Sequence, residues 1–124
     1  MAGEILTDIK NYITQNNRNE IVFCHESIDG LKFVNVGYDL SQLLSKNSYN
    51  YAEAISAILD NTNHNESIGD YLALTNIGIL FEPELKLNIR DILDSYSKNQ
   101  CLIVQTEAEL LERIDLQGMS YINI

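Results

Sequence analysis

The sequence predicts an α/β fold: three layers, with a mostly parallel sheet of about five strands and helices on both faces. Three observations predict it. Short apolar runs of strand length recur at residues 21–24, 71–75 and 101–104, the kind of run that is buried on both faces. Between the second and third, Leu85, Ile89, Ile92, Leu93 and Tyr96 follow helical spacing. The stretch from Asp70 to Glu109 therefore reads strand, connection, helix, strand, the unit that joins parallel strands. A chain of 124 residues with 45% hydrophobic content can build one core but not two, so residues 1–124 are expected to form a single domain.

The remaining elements follow in chain order. Residues 4–15 place Ile5, Leu6, Ile9, Tyr12 and Ile13 on one helical stripe, and the asparagines around Arg18 end it. A second strand is expected at 32–36 after a connection, 25–31, that is too short for a helical crossover. The first two strands are therefore open to a hairpin arrangement. Gly37 punctuates the second strand, and Asp39 is a candidate cap for a helix with Leu40, Leu43 and Leu44 inward. Residues 51–60 repeat the helical signal, and the polar segment from Asn61 to Gly69 reads as a loop. Apolar residues continue from Ile77 to Phe81 as an extension of the central strand that stops by Glu82, because Pro83 follows. Lys98 and Asn99 suit the end of the 85–96 helix; a short acidic helix at 107–113 and a strand at 120–124 complete the chain.

Charge excludes one class of partner. Eight Lys plus Arg against eighteen Asp plus Glu give a net charge of −10, which repels nucleic-acid phosphates, so no direct nucleic-acid binding is expected and a basic protein partner fits better. Cys24 and Cys101 stand far apart inside apolar runs, with neither disulfide nor zinc spacing. With no signal-peptide pattern and no membrane-length apolar stretch, a reduced, cytoplasmic protein is expected. Cys24 and His25 are neighbours on a strand and point to opposite faces, which argues against a thiol and base pair. His64 sits alone in its polar segment, and the acids Glu82, Glu84, Asp91, Asp94, Glu107 and Glu109 read as solvated faces.

The run NIGILFEPELKLNIRDILDSYSKNQCLIV, together with FVNVGYDLSQLL, resembles the small P-loop protein of BREX-type bacterial phage-defence systems. The resemblance implies a P-loop-NTPase-like sheet. It also exposes two departures. A phosphate loop needs glycine amides, a lysine and a Ser or Thr hydroxyl in order, yet residues 25–31 hold one glycine, Gly30, with Lys32 after it. Where the magnesium carboxylate would end an apolar strand stands Thr75. The resemblance thus implies a degenerate P-loop relative with its first crossover deleted, lacking Walker A and Walker B groups. It would be a non-catalytic protein-interaction subunit of a bacterial antiviral defence complex, with no catalytic residues, cofactor or metal, and compatible with a homo-oligomer. Two alternatives stand beside it: an acidic inhibitor that occupies a basic groove as a nucleic-acid mimic, and a small enzyme with a carboxylate site. The candidate interaction surface comprises Tyr38, Tyr49 and Tyr51 around a polar loop and an apolar lip at Leu80, Phe81, Glu82 and Pro83.

Overall fold

The computed structural model describes residues 2–15, 18–46 and 51–124. They form five α-helices and six strands in the order α1 (Ala2–Ile13), β1 (Ile21–Cys24), β2 (Phe33–Asn35), α2 (Val36–Lys46), α3 (Tyr51–Leu59), β3 (Asn63–Asn65), β4 (Gly69–Thr75), α4 (Ile89–Tyr96), β5 (Cys101–Gln105), α5 (Ala108–Leu111) and β6 (Ile122–Asn123). The sheet runs β2-β4-β5-β1-β6, parallel throughout, and β3 adds an antiparallel partner to the first half of β4. Among the described residues no helix is long and apolar enough to cross a membrane.

Alternation along the central strands makes two cores. Ile21, Phe23, Leu72, Leu74, Leu102 and Val104 face α2, α3 and α4 through Leu40, Ile55, Leu59 and Leu93. Val22, Cys24, Tyr71, Ala73, Cys101 and Ile103 face the other way, towards Ile9 and Tyr12 of α1 and Ile28 of the β1–β2 connection. That is why these strands read as unbroken apolar runs, and each fully buried large aliphatic side chain contributes roughly 1.5–3 kcal/mol. At the amino edge, polar groups pin the layers. The Tyr12 hydroxyl donates to the Asn19 carbonyl (3.0 Å) and accepts from the Ile21 amide (3.2 Å). Buried Asn19 donates to Asp94 Oδ1 (3.0 Å) and Ser97 Oγ (2.9 Å), tying the end of α4 to the start of β1.

The hairpin left open for the first two strands does not form. β1 pairs with β5 and β6, β2 pairs with β4, and β5 and β4 separate the two. A helix-free connection suffices because β2 is short and sits high. Cys24 is level with Gln105, while Phe33 is level with Ala73, only two positions below the end of β4. Residues 25–32 must step sideways roughly 14 Å and back roughly 7 Å, and they can reach about 26 Å. The crossover helix is absent, but the crossing itself remains.

Four boundaries also differ from expectation. Residues 77–81 are a 3-10 helix rather than strand, because Asn76 turns into the left-handed region (φ 55°) directly after β4. Leu85 belongs to a second 3-10 turn closed by left-handed Lys86, and α4 starts at Ile89 with the Asn88 side chain accepting from the Asp91 amide (3.1 Å). Gly37 lies inside α2, and the capping side chain is that of Asn35, whose Oδ1 accepts from the Tyr38 amide (3.0 Å), rather than Asp39. His64, expected in a loop, lies in β3 opposite Asp70.

Candidate functional site

Parallel sheets place ligand crevices beyond the carboxyl ends of their strands, where neighbouring strands send their connections in opposite directions. Here that point lies between β5 and β1. The chain leaves β5 towards β6 over the face where Leu111 and Ile114 pack, and leaves β1 towards β2 over the opposite face, where Ile28 packs. Opposite directions over opposite faces give the two crossovers the same hand. There opens a cleft of about 330 Å³, walled by His25 after β1, Thr75 to Gly78 at and beyond the end of β4, and Gln105, Thr106 and Glu107 at and beyond the end of β5.

Three residues of the cleft wall, Asn76, Gln105 and Thr106, are bonded to neighbours outside it. The Thr106 amide donates to the Cys24 carbonyl (2.9 Å), holding the two strand ends together. Ser27 Oγ donates to Gln105 Oε1 (3.0 Å). Asn76 Nδ2 donates to Asn35 Oδ1 (2.8 Å), and the Asn76 carbonyl accepts from the Gly37 amide (3.1 Å). This clasp needs glycine for space: a Cβ on Gly37 would lie 2.5 Å from Asn76 Nδ2. Among the described residues no Lys or Arg lines the cleft.

The two places at which the resemblance locates nucleotide chemistry converge on this cleft. Thr75 lines it where the magnesium carboxylate would stand, and His25 begins the segment that would wrap phosphates. That segment is used otherwise. Ile28 is buried on the sheet face, Leu31 closes a turn onto the Ile28 carbonyl (3.2 Å) through left-handed Gly30, and the Lys32 amide donates to the Tyr71 hydroxyl (2.8 Å). The loop crosses the sheet instead of curling over its edge. Compared with family models, curated proteins and solved structures, the chain matches none.

Nucleophile chemistry finds no support in the cysteines. Burial pushes the Cys24 thiol up to about 11, and burial with the nearby Glu20 charge pushes Cys101 up to about 12, so both stay protonated near neutrality. Cys24 is buried while His25 is exposed, as alternation on a strand requires. Among the described residues no group of three or more His, Cys, Asp or Glu gathers as a metal site; Asp94 instead bonds Asn19 and Lys98, and both lower its carboxyl.

The expected interaction residues scatter. Tyr38 is 60% exposed on the first turn of α2. Tyr49 lies outside the described residues, and Tyr51 opens α3. The lip is only partly outward: Leu80 is buried, Phe81 is half-buried beneath the Arg113 guanidinium (4.8 Å from the ring centre), and Glu82 and Pro83 are exposed. Sequence reasoning missed Asn35, Asn76, Gln105 and Thr106. The signal was their shared position, polar residues at the ends of β2, β4 and β5.

Proposed function

We propose that the chain is a non-catalytic assembly subunit of a bacterial antiviral defence system, a degenerate relative of a P-loop protein that works by binding other proteins. One observation carries the reading. His25 after β1 and Thr75 at the end of β4 meet at a switch-point cleft, the arrangement a nucleotide site needs, while neither position supplies the glycine-rich phosphate loop or the magnesium carboxylate. Two side chains of its wall, Asn76 and Gln105, are bonded to Asn35 and Ser27 outside it. In this reading nucleotide chemistry belongs to a partner, and this chain contributes surface.

Affinity purification of the tagged protein from its native cells at moderate salt, with mass spectrometry of co-eluting proteins, is the test. Stoichiometric recovery of defence-system subunits is expected. Calorimetry with ATP and magnesium is expected to give no saturable binding; specific binding with hydrolysis would sink the proposal.

A further inference from the structure

Among the described residues three polar ones are buried: Asn19, Ser97 and Thr106. Asn19 and Ser97 bond to each other (2.9 Å), and each has a second partner, Asp94 Oδ1 and the Leu93 carbonyl. Thr106 differs. It is 8% exposed, and its hydroxyl makes one contact among the described residues, 3.4 Å to the Glu107 carbonyl, longer than the roughly 2.5–3.0 Å of a hydroxyl hydrogen bond. Thr106 lines the switch-point cleft, and alternation along β5 puts it on the face of Leu102 and Val104, with buried Ile77 of the same wall. Buried hydroxyls are paired as a rule, so the cleft is where this one meets its partner.

The rest of the wall selects that partner's chemistry. Glu107 is its one carboxylate, exposed, and with no Lys or Arg beside it an anion would meet uncompensated repulsion from a chain of net charge −10. Ile77 and Leu110 give the wall an apolar part, and a Cβ added to Gly78 would meet no atom within 4 Å, so the backbone between them is uncovered. Apolar surface with a few placed polar groups is the make-up of small-molecule sites, and 330 Å³ lies at the small end of their range of roughly 300–1,000 Å³. A larger cleft, about 450 Å³, opens at the amino edge beside Asp60, Asp70 and Tyr96. No buried polar side chain lines it among the described residues, and Asp70 is already bonded to His64 Nδ1 (3.0 Å).

We infer that the switch-point cleft binds a small uncharged ligand that joins an apolar ring to a group able to donate and accept hydrogen bonds, an aromatic amide being the simplest. The Thr106 hydroxyl is its buried partner, and Ile77, Gly78 and Leu110 lie along its ring. The inference goes beyond the assembly reading, since it gives an occupant to a cleft without phosphate chemistry, and either stands without the other.

The test is amide NMR of the full chain titrated with nicotinamide and, separately, with nicotinate, its anionic isostere, and with glycerol, which has polar groups but no ring. Saturable shifts confined to residues 75–78 and 105–110 are expected for nicotinamide, with a much weaker response to nicotinate and none to glycerol. Thr106→Val keeps the shape and removes the hydroxyl, and should weaken nicotinamide on the order of fivefold. The same variant should melt at an equal or higher temperature than the wild type, because a buried hydroxyl without a strong bond gives nothing to lose. Glu107 makes no side-chain cap bond to α5, so Glu107→Gln should leave the fold intact and narrow the gap between amide and acid. A lower melting temperature for Thr106→Val would assign the hydroxyl to folding and overturn the inference. So would undiminished nicotinamide affinity in that variant, an equal response to nicotinate or glycerol, or no saturable shift with nicotinamide.

Discussion

The two edges of one sheet treat their polar side chains in opposite ways. At the carboxyl edge, where this class of fold binds ligands, amides and hydroxyls of Asn35, Asn76, Ser27 and Gln105 bond to each other in neutral pairs. At the amino edge, a buried amide network from Asn19 holds the strands and helices in place, while Asp60 and Asp70 stand at an open cleft nearby. A nucleotide site requires a run of glycine amides and a cation at the carboxyl edge; the cleft there has Gly78 alone, and among the described residues no Lys or Arg lines it.

Breaking the amino edge should cost most. Asn19→Ala removes a buried donor to Asp94 and Ser97 and should destabilise by about 2–3 kcal/mol, read by urea unfolding. The same variant tests a pH effect. The Asn19 bond, then Lys98, holds the Asp94 carboxyl below its ordinary value, so its contribution is complete above the ordinary aspartate range and is lost as pH falls through the lowered folded value. Asn19→Ala should flatten that acid-side loss; an unchanged slope would remove Asn19 as its cause.

The clasp at the carboxyl edge comes next. Helix propensity alone would have Gly37→Ala stabilise α2 by about 1 kcal/mol. The 2.5 Å approach to Asn76 predicts the reverse, a loss of about 1–2 kcal/mol. Adding Asn76→Gly, which keeps the left-handed backbone and removes the obstructing amide, should recover part of it. Smaller still is Arg113→Ala, which uncovers Phe81 and should cost about 0.5–1 kcal/mol in thermal melts. The smallest effect separates function from stability. Thr75→Asp places a carboxylate at the cleft, yet without a phosphate-binding loop it should leave magnesium-ATP binding undetectable by calorimetry.

What the sequence displayed depended on how each residue is used. β1, β4 and β5 were legible because burial on both faces leaves no polar interruption. β3 was not, since Asn63, His64 and Asn65 join the sheet through backbone bonds and bury no apolar side chain. Ile77 and Leu80 are both buried at a spacing of three, which suits a 3-10 turn, yet beside Ile79 and Phe81 they look like more strand. The carboxyl-edge cleft was legible only as two positions implied by resemblance. Asp60, Asp70 and Tyr96 meet through the register of β4 on β5 and the ends of α3 and α4, which no local pattern encodes.

The separation of β1 from β2 also bears on how the protein is made. Every described strand pair joins a partner at or beyond Gly69: β1 waits for β5 and β6, β2 and β3 wait for β4. A nascent chain leaving the ribosome can therefore wind its early helices but cannot close one native ladder until β4 has emerged, and β1 waits longer, for β5. Over that interval the apolar segment Ile21–Cys24 has no native sheet neighbour, so the first half of the chain depends on the second for its solubility as well as its shape.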